Sequence, residues 1–91
     1  MTEKKVLLSN ETGMHARPAG QFVKLAQKYQ SQVSLVFGEK KANGKSVMSL
    51  LTLGLQKDSE FLLQVDGADE SEALAALVQL VESQFQVAPT T

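Results

Sequence analysis

The sequence predicts an α+β domain in which helices cover one face of an antiparallel sheet. Three observations predict it. Short runs alternate in burial tendency, with Val33, Leu35 and Phe37 set against Ser34 and Val36, and Phe61, Leu63 and Val65 against Leu62 and Gln64. Such alternation marks strands buried mainly on one face. Two longer segments instead repeat apolar residues at i, i+3, i+4 and i+7, the spacing of a helix with one buried side. The connections are short, which favours antiparallel neighbours over crossovers. The order that results is β-α-β-β-α-β-α.

The 91 residues, 43% of them hydrophobic, suffice for one core and are too few for a Rossmann domain, a TIM barrel or a two-domain enzyme. A single domain is expected over residues 1–88, with residues 86–91 carrying no periodicity and 89–91 forming a short tail. Without cysteine there is no disulfide framework, thiol nucleophile or cysteine zinc site, and one histidine excludes a multi-histidine metal site. Nine basic residues against ten acidic ones leave a net charge of -1, no electrostatic reason to expect nucleic acid. The longest apolar run, residues 73–78, is far short of a membrane span, and the apolar residues 6–8 make no signal-peptide core. A cytoplasmic protein without membrane insertion is expected.

Each element has its own signal. Residues 5–9 read as the first strand. From Pro18 the apolar positions are Ala19, Phe22, Val23, Ala26 and Tyr29, and Pro18 suits a first helical turn because its missing N–H has no partner to lose. Residues 33–37 form the second strand, Gly38 and Glu39 a turn, and residues 40–43 a weak third strand. Ser46 is a good N-cap and Gly54 a good C′ residue for a short helix between them. The apolar positions of that helix sweep an arc of roughly 220°, against the roughly 100° stripe that a core contact needs. Either the helix is buried more completely than usual, or Met48 and Leu51 face outward as a docking surface while Leu50 and Leu53 face in. Residues 61–65 give the fourth strand. Leu74, Leu77, Val78, Val81 and Phe85 mark the last helix, with Asp69 and Glu72 resembling a capping box at its start.

The stretch Gly13-Met14-His15-Ala16-Arg17-Pro18-Ala19 carries the chemistry. A lone loop histidine is most often an ordinary surface residue. This one sits where a turn gives way to a helix, beside unpaired backbone N–H groups and the positive end of a helix dipole, which together favour an anion. Arg17 adds a charged fork suited to phosphate oxygens, and Gly13 allows a tight turn before the histidine. The proline biases Arg17 away from the helical region, so which residue caps the helix stays open. These parts suit a histidine that accepts a phosphoryl group. No Walker A loop and no evident carboxylate cluster for Mg²⁺ accompany it, which argues for a carrier rather than a kinase.

That seven-residue stretch resembles the active-site signature of the HPr family, the histidine-containing phosphocarriers of the bacterial phosphoenolpyruvate:sugar phosphotransferase system. Lys45-Ser46-Val47-Met48 is similar to the family's second, regulatory motif, followed as expected by Thr52-Leu53-Gly54-Leu55. Gly67-Ala68-Asp69-Glu70 resembles the segment that enters the last helix. The resemblance runs over residues 3–85.

The resemblance implies an open-faced β-sandwich, a four-stranded antiparallel sheet with three helices. It implies that His15 takes a phosphoryl group on Nδ1 from phosphorylated Enzyme I and passes it to EIIA units of sugar permeases. Arg17 would neutralise the group, and the backbone amides of Ala16 and Arg17 would hold its oxygens. The protein would then be a phosphoryl carrier that binds no metal or other cofactor, a co-substrate of its partners and no enzyme itself. Ser46 would be the target of an HPr kinase/phosphorylase, and its phosphate would favour a catabolite-control transcription regulator over Enzyme I. Val47, Met48, Leu51 and Gly20 would dock partners, while Phe22 belongs to the core. A monomer is expected.

Some positions depart from the family pattern. Gly20 stands where many relatives carry Thr, Ser or Ala, and Ser49 is not the glycine of Gram-positive relatives. These departures bear on the Ser46 regulation more than on His15. The regulatory paralogue Crh lacks the histidine, so His15 argues against it. The alternatives are a regulatory binding module acting through Ser46 and the apolar patch, or a paralogous carrier for nitrogen regulation or dihydroxyacetone phosphorylation.

Overall fold

The computed structural model describes residues 1–11 and 13–85. The expected tail over residues 89–91 and the domain end at residue 88 lie outside them. The elements are β1 (Thr2–Leu8), α1 (Ala16–Ala26), β2 (Gln32–Phe37), β3 (Lys40–Asn43), α2 (Val47–Thr52), β4 (Ser59–Asp66) and α3 (Glu70–Glu82). The strands form one sheet in the order β1-β4-β2-β3, every pair antiparallel. The expected α+β order and open-faced sheet are both present.

Alternation decides which sheet face is covered. Val6 and Leu8 of β1, Val33 and Leu35 of β2, and Phe61, Leu63 and Val65 of β4 are all buried. They pack against Phe22, Val23, Leu77 and Val81 from α1 and α3 in one cluster. Each such side chain contributes about 1.5–3 kcal/mol by leaving water.

The first strand runs from Thr2 to Leu8 rather than over residues 5–9. Its register with β4, from Thr2↔Val65 to Leu8↔Ser59, carries the ladder through the charged residues Glu3, Lys4 and Lys5. Backbone pairing to a central strand outweighs the lack of apolar alternation there. After Leu8 the chain leaves the sheet, its carbonyl accepting from the Asp58 amide at 2.6 Å.

Helix α1 starts at Ala16, two residues before Pro18. Proline at the third helical position loses no intrahelical bond, because the first-turn N–H groups have none, and Arg17 is helical despite preceding it. The helix ends at Ala26, so Tyr29 packs on the core from the following turn.

Helix α3 differs from expectation in two respects. Its buried positions are Ala73, Leu77, Val78, Leu80 and Val81, whereas Leu74 is only half-buried and Phe85 lies beyond the helix end. The helix packs on β1, β4 and α1 together, which buries Ala73 and Leu80 as well as the expected positions. Asp69 is the N-cap by position, but its carboxylate makes no capping bond. It faces the α1–β2 turn instead, accepting from the Gln30 amide at 2.9 Å, from the Ser31 amide at 3.0 Å and from the Ser31 hydroxyl. Glu70, not Glu72, reaches back, its Oε1 accepting from the Gly67 amide at 3.2 Å.

The Ser31 hydroxyl, and then the Gln30 amide, hold the Asp69 carboxyl below the usual carboxylate range. A carboxylate depressed in the folded state contributes stability above its unfolded pKa of about 3.9, and that stability is lost as pH falls through the lower folded value. The Tm advantage of the native protein over an Asp69→Asn variant is therefore expected to be full near neutrality and to shrink below about pH 4. A Tm series across the acid range checks this.

Candidate functional site

The approach to His15 is fixed at both sides. Asn10, buried, accepts at its carbonyl from the Gly13 amide at 3.1 Å and donates from Nδ2 to the Gly13 carbonyl at 2.7 Å. Gly13 has φ +67, a left-handed conformation that favours glycine. The next amide, of Met14, donates to the Leu55 carbonyl at 3.0 Å, and the Met14 side chain is buried. These contacts deliver the chain to His15, the N-cap of α1, at φ -84 and ψ -177.

The His15 carbonyl accepts the first helical bond, from the Ala19 amide at 2.9 Å, while its ring makes no capping bond and is exposed. Ala16 and Arg17 occupy the first turn, where N–H groups have no intrahelical acceptor, and Pro18 has no N–H to offer. Two donors and the positive end of an 11-residue helix thus lie beside the imidazole. Arg17 is exposed and takes part in none of the ion pairs among the described residues.

His15 stands between two depressions. One, of about 620 Å³, is shared with Glu11, Arg17, Pro18, Gln21 and, from beyond α3, Phe85. The other, of about 330 Å³, is shared with Ala16, Leu51, Gly54, Leu55 and Gln56. The second wall brings α2 to the histidine through Leu51, one of the outward apolar residues of that helix. Met48 is 74% exposed and Leu51 38%, while Leu50 and Leu53 are buried. The outward-facing alternative is the one the structure adopts. Val47 is half-buried and packs partly on the core, which leaves it less surface to offer than Met48. Gly20 is half-buried on α1, and a Cβ there would meet nothing within 4 Å. Phe22 is core, as expected.

Ser46 caps α2, its Oγ accepting from the Ser49 amide at 3.3 Å. The neighbouring Lys45 donates its ammonium to the Tyr29 carbonyl at 2.6 Å.

Net charge hid an asymmetry. Arg17, Lys24, Lys28, Lys40, Lys41 and Lys45 fall within residues 16–47 against Glu39 alone, and most acids lie in residues 58–82. Arg17 and Lys24 sit on α1, Lys28 just beyond it, Lys40 and Lys41 on β3 and Lys45 before α2, and α2 packs on both α1 and β3. Gln21, Leu55, Gln56 and Phe85 at the histidine were not singled out from sequence. Only the i+4 spacing of Gln21 from Arg17 could have signalled one of them.

A family model for the phosphorylation site of the HPr component of the phosphotransferase system matches residues 2–83. The chain belongs to the HPr family. Solved HPr structures agree over nearly the whole length. HPr-C-His from Thermoanaerobacter tengcongensis is 42% identical, with 98% of this chain and 100% of that one covered at a TM-score of 0.92. Phosphocarrier protein HPr from Bacillus anthracis str. Ames is 32% identical, with 88% and 95% covered at a TM-score of 0.84. The catabolite-repression protein Crh of Bacillus subtilis, described as a dimer with a swapping domain, is 38% identical, with 96% and 100% covered at a TM-score of 0.76. With the family's phosphorylation-site model matched, the chain is an HPr-family phosphocarrier of the phosphotransferase system. No helix among the described residues is long and apolar enough to cross a membrane.

Proposed function

We propose that His15 accepts a phosphoryl group from phosphorylated Enzyme I and passes it to EIIA units of sugar permeases. One observation carries this: the sole histidine caps α1 with its ring exposed beside the Ala16 and Arg17 amides and the Arg17 side chain. In the transfer the Nδ1 lone pair attacks phosphorus, the Nδ1–P bond forms, and the donor's bond to phosphorus breaks. The first-turn amides and Arg17 take up the charge on the oxygens. The reverse movement delivers the group to EIIA and frees Nδ1. The chain is co-substrate in both steps, works in the cytoplasm and needs no cofactor. The proposed working unit is a monomer, since His15, Arg17 and both amides belong to one chain.

Met48 and Leu51, with Val47 and Gly20 at the margin, form the proposed docking patch, and the basic residues of α1 fit an acidic rim on the partner. Phosphorylated protein, freed of Enzyme I and mixed with an EIIA unit, is expected to hand its phosphoryl group over. Retention of the group, with an active EIIA, would contradict the relay.

A second, regulatory reading attaches to Ser46, supported by its place beside the docking patch and by the 38% identity to Crh. A phosphate there would add about two negative charges at the edge of the patch. A HPr kinase/phosphorylase would install it, and a catabolite-control regulator would read it. Ser46→Asp is expected to slow phosphorylation by Enzyme I about tenfold through repulsion at docking. Uptake at the native rate would refute this.

A further inference from the structure

Gln21 lies one helical turn beyond Arg17 on α1, and both line the 620 Å³ depression beside His15. Its Oε1 is buried and finds no hydrogen-bond partner among the described residues. A buried amide oxygen without a donor is unfavourable, and native structures rarely leave one so. Long helical side chains lean toward the N-terminus, over the turn before them. Gln21 and Arg17, four residues apart, therefore share one face of α1, and the depression they line is shared with His15. The donors of Arg17 are engaged in no ion pair among the described residues, and its guanidinium has N–H groups on more than one edge.

We propose that Gln21 is a positioning residue for Arg17. When His15 carries a phosphoryl group, one edge of the guanidinium turns to the phosphoryl oxygens and another N–H donates to Gln21 Oε1. The fork is then held from both sides, and the orphaned oxygen gains its donor. This rests on the carrier reading of His15.

The test follows the Arg17 side-chain N–H resonance before and after charging by phosphorylated Enzyme I, together with the transfer rate. In the native protein the Arg17 Nε–H signal is expected to shift and become protected from water exchange on charging. In Gln21→Leu that protection is lost and transfer slows about tenfold, the equivalent of one charge-assisted hydrogen bond. Gln21→Glu keeps an acceptor and is expected to keep the protected signal, which a purely structural role would not require. Native protection and rate in Gln21→Leu would overturn the inference while leaving the carrier reading intact. Loss of protection in a folded Gln21→Glu would overturn it as well. If the native protein takes up no phosphoryl group at all, the carrier reading falls, and this inference with it.

Discussion

Arg17→Ala is expected to slow phosphoryl transfer through His15 by about 10²–10³-fold, the usual consequence of removing a charge-stabilising donor from a group-transfer site. Stability should move by no more than about 0.5 kcal/mol, because the side chain is exposed and forms none of the ion pairs among the described residues. That contrast separates chemistry from folding. Arg17→Lys keeps the charge but not the planar fork, so it should recover only part of the rate. Rapid-quench measurement with phosphorylated Enzyme I, alongside thermal denaturation, reads both quantities. An unchanged rate in Arg17→Ala would show that the phosphoryl group never faces the guanidinium.

Gly13→Ala should damage the site through the backbone. At φ +67 an alanine is strained, and its Cβ would lie 2.7 Å from the Leu55 carbonyl oxygen and 2.8 Å from the Gln56 Cα. Both neighbours are backbone atoms, so neither can swing aside. The Leu55 carbonyl is also the acceptor of the Met14 amide, the last bond before His15. Relieving the clash must loosen that bond and shift the histidine relative to the first-turn amides. A loss of about 1–3 kcal/mol is expected from strain of this kind, accompanied by slower transfer even where the protein remains folded. Urea denaturation and transfer kinetics on one preparation check it. Native stability would mean that the turn can re-form without its left-handed residue.

Periodicity made most of the fold legible, because the sheet is covered on one face only and its strands alternate accordingly. The helix arc over residues 46–54 was legible as a surplus of apolar surface, though whether that surplus faced outward depended on how α2 sits over the core. The first strand was not legible at Glu3 and Lys4, where pairing with β4 rather than side-chain pattern sets the limits. The local spacing of Asp69 predicts a cap, yet its carboxylate is claimed by Gln30 and Ser31, far away in sequence. Local rules do not foresee a competing distant donor.

At the site, the first-turn place of Arg17 and the tight turn at Gly13 were legible because both are local, whereas the capping place of His15 was not, since Pro18 left the helix start open. The walls contributed by Leu55, Gln56 and Phe85 were not, since tertiary packing alone brings them to the histidine. The clustering of basic residues on α1, β3 and the approach to α2 was hidden in a net charge of -1. Summed charge discards position, and docking depends on position.

The central claim is that this chain carries a phosphoryl group on His15. Intact mass after incubation with phosphoenolpyruvate, Mg²⁺ and Enzyme I tests it most directly, with native protein and His15→Ala side by side. A single acid-labile phosphoryl group on the native protein and none on the variant is the predicted result. An unmodified native protein beside a verified active Enzyme I, or a variant that still takes up the group, would contradict it.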